Sequence, residues 1–216
     1  MARSDSEQRQ RILETAVRVF AEHGRAGATT RLLGAAAGVN SALLYYYFED
    51  KDHLFAAALR FVLQGFLARL RDHRRPFRGA RDRLRYLVDG VFDYYSAHPD
   101  RMHLMVIALN LYPALIGQAL TAVLAEAGIV PLDVIKEGMA RRELRRLPVL
   151  DVWWNILGLC LFNLQVGNVM LHVDAQRLPV SMSSLPARRA RVLELLVRGL
   201  VLPGKRQTRI RSGIKS

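Results

Sequence analysis

The 216-residue sequence predicts an all-α fold, and three observations carry that expectation. No stretch shows the sustained apolar–polar alternation of a half-buried strand. Apolar residues recur three and four positions apart, as one face of a helix requires. Glycines and prolines fall between these windows as punctuation. The windows divide into a three-helix unit over residues 1–50, a larger helical unit over 51–203 and a basic tail over 204–216.

The first helix fits Ser6–His23, with Ile12, Leu13, Ala16, Val17 and Phe20 on one face and Gly24 as its stop. Thr29 and Thr30 offer hydroxyl caps to a short helix ending at Ala37. Gly38 follows as the residue best suited to a left-handed turn. Asn40 caps Ser41–Tyr47, and Asp50 caps a longer helix reaching about residue 75, before Pro76. Further helices fit 81–97, 100–111, 113–127, 132–146, 150–173 and 185–202, with Pro99, Pro113, Pro131, Pro148, Pro186 and Pro203 at their edges.

Composition narrows the classes. The chain carries 28 Arg, 4 Lys and 19 acids, a formal net charge of +13. Such a balance suits nucleic acid or another anionic surface, although an Arg-rich composition also follows from genome base bias. A single cysteine, Cys160, excludes an intramolecular disulfide framework and reads as a small buried hydrophobe. Met102–Ala125 and Val152–Val173 lack charged side chains, yet each holds five polar residues or breakers, which suits burial within protein better than hydrocarbon. The polar N-terminus has no signal-peptide core, so the expected location is cytoplasmic, with no membrane partner. Phosphate-binding Gly loops, nucleophile elbows and zinc-protease motifs are missing, and the six histidines are scattered. The expectation is a non-enzyme with no metal and no cofactor.

The window Thr29–Lys51, TTRLLGAAAGVNSALLYYYFEDK, carries the function. Two short helices separated by Gly38-Val39-Asn40 make a helix-turn-helix. Leu33, Ala37, Val39 and Leu44 supply the locking apolar faces, and Gly34, Ala35 and Ala36 permit close approach. The second helix presents Ser41, Tyr45, Tyr46 and Tyr47; tyrosine hydroxyls either donate to phosphates or cap a purely structural aromatic cluster.

The order Thr29-Thr30-Arg31, Ala37-Gly38-Val39, Leu44-Tyr45-Tyr46-Tyr47-Phe48 and Lys51 resembles the DNA-binding segment of the TetR family of bacterial transcriptional regulators. Arg9, Ile12-Leu13, Ala16, Phe20 and Gly24 resemble that family's first helix. The likeness spans about residues 8–55; Gly34 departs from the usual Ala, and Asp50 from the usual Ser or Asn. It implies that Ser41, Ala42 and Tyr46 face bases in the major groove, and that Thr30, Asn40, Tyr45, Tyr47 and Lys51 hold phosphates. Arg31 would take a guanine or a phosphate.

The resemblance also implies a repressor that pairs two copies on a palindromic operator in double-stranded DNA and is released by a small-molecule effector. The homodimer would form through helices 150–173 and 185–202, with Ala190, Leu193, Leu196, Val197 and Leu200 as a stripe; the same helices also suit an intramolecular core. Effector contacts would come from Phe66, His103, Met105, Leu109, Asn110, Tyr112, Trp153, Phe162, Asn163 and Met170, each of them also a plausible core residue. The alternative is a helical protein-interaction module without sequence-specific DNA binding. The tail 204–216 is either a solvated terminus or a DNA-contacting arm.

Overall fold

A computed structural model describes residues 2–71, 76–127, 130–170 and 184–202, side chains at 2–4, 127, 168 and 170 excepted. Ten helices occupy the described residues: α1 Ala2–Gly27, α2 Thr30–Ala37, α3 Ser41–Phe48, α4 Lys51–Arg71, α5 Ala80–Ala97, α6 Pro99–Leu111, α7 Pro113–Ala127, α8 Val130–Ala140, α9 Val149–Met170 and α10 Leu185–Leu200. The architecture is a small N-terminal helix-turn-helix unit on a larger helical body. The tail 204–216, and the last three residues expected in helix 150–173, lie outside the described residues.

Helix α4 is the spine. Its residues Leu54, Phe55, Ala58, Leu59, Val62, Leu63, Phe66, Leu67 and Leu70 are all buried. That spacing of three and four keeps one broad face in the core, and α1, α5, α6, α7 and α8 pack around it. The predicted face of α1 is likewise interior, with Ile12, Ala16, Val17 and Phe20 at 1% exposure or less. Gly24 takes φ +66°, so the chain kinks where the stop was expected and one more turn follows before Thr29.

Helix α1 begins at Ala2, four residues before the expected Ser6, and the C-terminal ends of α8 and α10 differ from the sequence reading too. Helix α8 ends at Ala140 rather than 146, because Arg142 adopts a left-handed φ of 59° and the amides of Glu143 and Leu144 turn back to the carbonyl of Gly138. Helix α10 stops at Leu200, since Val201 leaves it to bridge Leu144. The difference at α8 is local, within residues 138–144, and the one at α10 comes with a contact between distant segments.

Two helices, Lys51–Arg71 and Val149–Gly167, have the length and apolarity to cross a membrane. Half of the α4 window is buried inside the protein, but only 28% of the α9 window is. The charge-free stretch Met102–Ala125 is two helices, α6 and α7, bent by 119° at Tyr112-Pro113. Cys160 is fully buried, and burial pushes its thiol up to about 12, leaving no thiolate for redox chemistry near neutral pH.

Candidate nucleic-acid interface and effector cavity

Local capping chemistry builds the reading head. Thr29 is extended (φ −74°, ψ 153°) and its Oγ1 accepts the amide of Leu32 at 3.1 Å, which starts α2. Gly38 ends α2 in the left-handed conformation (φ 65°), and the amide of Val39 closes onto the carbonyl of Gly34 at 2.9 Å. Asn40 Oδ1 then accepts the amide of Leu43 at 2.8 Å and starts α3 at once. The sharp turn forces α2 and α3 together at Gly34, where a Cβ would stand 2.9 Å from the Val39 carbonyl oxygen. A side chain at position 34 would therefore have to push the turn at Val39 outward. Ala35 and Ala36 face solvent and take no part in the close approach, contrary to expectation.

Leu33, Leu44 and Phe48 are buried beneath the two helices, and the Arg9 guanidinium covers the Phe48 ring at 5.1 Å. What remains outside is a polar, aromatic ridge. Arg31, Asn40, Ser41, Ala42, Tyr45 and Tyr46 are exposed, Tyr46 at 75%. Thr30, Tyr47 and Lys51 are half-buried. Thr30 Oγ1 lies 3.4 Å from the Tyr45 hydroxyl, so the two form one polar pair. Tyr47 donates its hydroxyl to Asp5 at 3.0 Å. Desolvation, then that bond, hold the Tyr47 phenol above its ordinary value, so it remains a proton donor at neutral pH. None of the nine predicted DNA-contact residues is buried, and Thr30, Tyr45 and Lys51 line one small cleft between α2, α3 and α4. The eight-residue helix α3 is about 12 Å long, and a helix, about 10–12 Å across with its side chains, fits a major groove about 12 Å wide.

Aromatic and ionic contacts fix the head to the body. Phe20 of α1 meets Phe55 of α4 edge-on at 4.9 Å, and Phe55 meets Tyr112 at 5.2 Å. Arg25 crosses from α1 to α4, bonding both carboxylate oxygens of Asp52 at 3.0 and 2.6 Å, and stacks over Tyr112 at 5.4 Å. Tyr112 is the corner between α6 and α7.

Those two helices also wall the principal apolar cavity, of about 110 Å³. Of the predicted effector contacts, Phe66, Met105, Leu109 and Trp153 line it, with Phe66 and Trp153 stacked at 6.2 Å. The others do not. His103 faces a surface groove beside Arg18 and Glu22. Asn110 and Asn163 return their amides to their own helices, at Val106 and Leu159. Phe162 points outward at 67% exposure, Tyr112 belongs to the head–body junction, and the Met170 side chain is outside the described set. Sequence reading missed most of the wall, including Leu63, Tyr95, Ile116, Leu120, Leu132 and Trp154. Only the Tyr95 hydroxyl and the two indole N–H groups bring polarity to it. Burial raises the Tyr95 phenol far above its usual value, so it stays neutral.

The outer faces of α9 and α10 are apolar too. Leu159, Phe162 and Val169 on α9 and Leu195 on α10 are exposed. Of the stripe expected on α10, Leu193 and Leu196 are buried in the chain's own core and Val197 and Leu200 pack against it, as the intramolecular alternative has it, while Ala190 is exposed.

Residues 12–58 match the family described as bacterial regulatory proteins, tetR family. The chain is 30% identical over 158 residues to the HTH-type transcriptional repressor NicS of Pseudomonas putida, covering 71% of this chain and 74% of that one. It is 50% identical over 52 residues to the HTH-type transcriptional repressor AcnR of Corynebacterium glutamicum, 24% of this chain and 28% of that one. In structure it is similar to the transcriptional regulator FadR of Bacillus subtilis, solved in complex with stearoyl-CoA, with a TM-score of 0.68 at 20% identity over 88% of this chain and 98% of that one. A capped two-helix head with its ridge exposed, and a relative matched along most of both chains, lead to one identification: the chain belongs to the tetR family of bacterial regulatory proteins and is a DNA-binding transcriptional regulator.

Proposed function

We propose that this regulator is a cytoplasmic repressor, acting as a homodimer on a palindromic operator and released by a small apolar effector, with no catalytic or membrane role. The exposed α3 ridge carries the DNA half of this reading. Ser41, Ala42 and Tyr46 stand at its crest for base contact, and Arg31 at the start of α2 reaches a guanine edge or a phosphate. Thr30, Asn40 (through the amide nitrogen its cap leaves free), Tyr45, Tyr47 and Lys51 flank them for phosphates. The head is assigned to residues 1–50 and the body to 51–203.

One eight-residue helix reads only a few base pairs, so specificity calls for two heads spaced one helical turn, about 34–36 Å, apart. The uncovered faces of α9 and α10 suit the contact that holds two copies, since apolar side chains such as Phe162 and Leu195 are costly to leave in water. Selection from random duplexes is expected to return a palindrome; enrichment of a sequence without two-fold symmetry would sink the dimeric operator. Arg31→Ala is expected to weaken binding by about 1–3 kcal/mol and relax one base position in each half-site if the contact is a base. A loss uniform across sequences assigns Arg31 to phosphate.

The effector half rests on the apolar wall. Lacking any acid, base or amide, the cavity selects an uncharged molecule. At about 110 Å³ it is smaller than the roughly 150 Å³ known to hold benzene, so most ligands must widen it, and on this reading α6 and α7 are the walls that part. Parting them moves Tyr112, and with it the seat of Arg25 and Phe55 at the head. Effector and DNA then weaken each other by the same factor. Leu120→Phe, which fills the cavity, is expected to cut effector affinity by about tenfold or more, some 1.4 kcal/mol, and to leave effector-free DNA binding unchanged. Unaltered release would place the effector elsewhere.

A further inference from the structure

The end of the molecule farthest from the reading head gathers arginine. Helix α4 leaves the head at Lys51 and runs 21 residues, about 30 Å, to Arg71. Helix α5 returns beside it, Tyr86 bonding the carbonyl of Leu70 and Tyr94 that of Val62, so the first turn of α5 sits at the far end. The loop after α8 and the last turn of α10 join it there. Leu144 bridges Val201, the Arg145 amide donates to the Leu200 carbonyl at 2.8 Å, and the Leu202 amide to that of Glu143 at 3.2 Å. The buried Arg83 ties the group together through Glu137 and Glu143, both at 2.9 Å.

Residues 78–85, 137–146 and 194–198 bring nine arginines and no lysine to this pole, against four carboxylates. Most of those carboxylates are already engaged: Glu137 and Glu143 on Arg83, and Glu194 between Arg81 and Arg198. Arg78, Arg142, Arg145 and Arg146 are exposed and form no ion pair among the described residues. A groove of about 430 Å³ runs between Arg78, Arg81, Arg85 and Val201. Base bias would spread arginine over every face, yet the described α9 carries one charged side chain, Asp151.

The cationic loop is also held in shape. Leu144 is 2% exposed, its Cδ1 in the space that a side chain at Gly138 would need. Arg142 keeps a left-handed φ of 59°, which a non-glycine residue holds only where its surroundings impose it. Planar guanidinium forks match phosphate oxygens two at a time. The exposed leucines nearby, Leu147 and Leu202, are few beside this charge, which favours a phosphate backbone over lipid.

We propose that this pole binds the phosphate backbone of a second DNA duplex while the head reads the first, so that the regulator bridges two DNA segments. Neutralised phosphates release counterions, so the second contact is sequence-independent and steeply salt-sensitive.

The test loads full-length protein onto a bead-bound duplex carrying the selected operator, then adds a labelled duplex of unrelated sequence at low salt. Wild type is expected to retain the second duplex, with a log–log salt slope of about −0.9 per phosphate neutralised. The triple variant R142Q/R145Q/R146Q, with folding checked by thermal melting, is expected to hold the operator as wild type does, lose most of the second duplex and flatten the slope by about two to three. Equal retention by the triple variant, or none by wild type, overturns the proposal. So does capture of phosphatidylserine-containing vesicles with no second-duplex retention, which assigns the pole to lipid headgroups. The same comparison on protein whose head is disabled by Arg31→Ala and Tyr46→Ala reads the pole alone, and separates its failure from failure of the operator.

Discussion

Phe55→Ala is expected to lower the unfolding free energy by about 3–5 kcal/mol, the range for removing a fully enclosed phenyl ring. Phe55 is 0% exposed and is the middle ring of three, between Phe20 in the head and Tyr112 at the α6–α7 corner. Its loss leaves a void at the seam where head orientation is set. Urea titration measures the stability term. The functional consequence is expected to exceed it: at temperatures where the variant is still folded, DNA affinity falls because, on the proposed reading, two heads no longer hold a common spacing. Phe55→Leu, which keeps much of the volume, is expected to lose less of both. A folded alanine variant with wild-type DNA affinity would show that the ring does not orient the head.

Removing Arg83 is expected to cost about 1–3 kcal/mol, because Glu143 and the half-exposed Glu137, which keeps Arg141, lose the buried cation they are arranged around. Arg83 is 1% exposed, bonds Glu137 and Glu143, and lies 4.8 Å from the Phe77 ring centre. Arg83→Met keeps the packing volume and isolates the charge term. Combining it with Glu137→Gln and Glu143→Gln is expected to recover part of the loss. Acid titration gives an independent readout. The hydrogen bond from Arg83 holds the Glu137 carboxyl below its ordinary value of 4.5. A carboxylate with a lowered folded pKa contributes its stability in full above the unfolded value and loses it as pH falls through the lowered one. Wild type is therefore expected to lose stability in that acid window, and Arg83→Met to show a flatter profile there. An unchanged acid profile in Arg83→Met would rule out this pairing as the source.

The reading head was legible in the sequence because every feature that builds it is local. Thr29 and Asn40 cap within three residues, Gly38 must be left-handed, and the spacing of Leu33, Leu44 and Phe48 sets one inner face. The cavity was legible only in outline. Which face of a helix is enclosed depends on its neighbours, and apolar helices give little contrast between faces. Hence Leu193 and Leu196 turned inward while Leu195 stayed outside. Polar residues misled for a related reason: Asn110 and Asn163 satisfy themselves on their own helical carbonyls and need no ligand. The early end of α8 was hidden because a left-handed backbone at Arg142 is not signalled by its residue type.

The bond from Tyr47 to Asp5 gives the reading surface a placeholder anion. Before any DNA arrives, a carboxylate already occupies a hydroxyl proposed for phosphate, and it comes from the far end of α1, 42 residues earlier in the chain. On the proposed reading, docking at this point exchanges one anion for another, so the hydrogen bond itself adds little and the repulsion between Asp5 and the incoming backbone must be overcome. On that reading the surface carries a threshold: fleeting encounters with arbitrary duplex meet the carboxylate, and only a site that engages the rest of α3 displaces it.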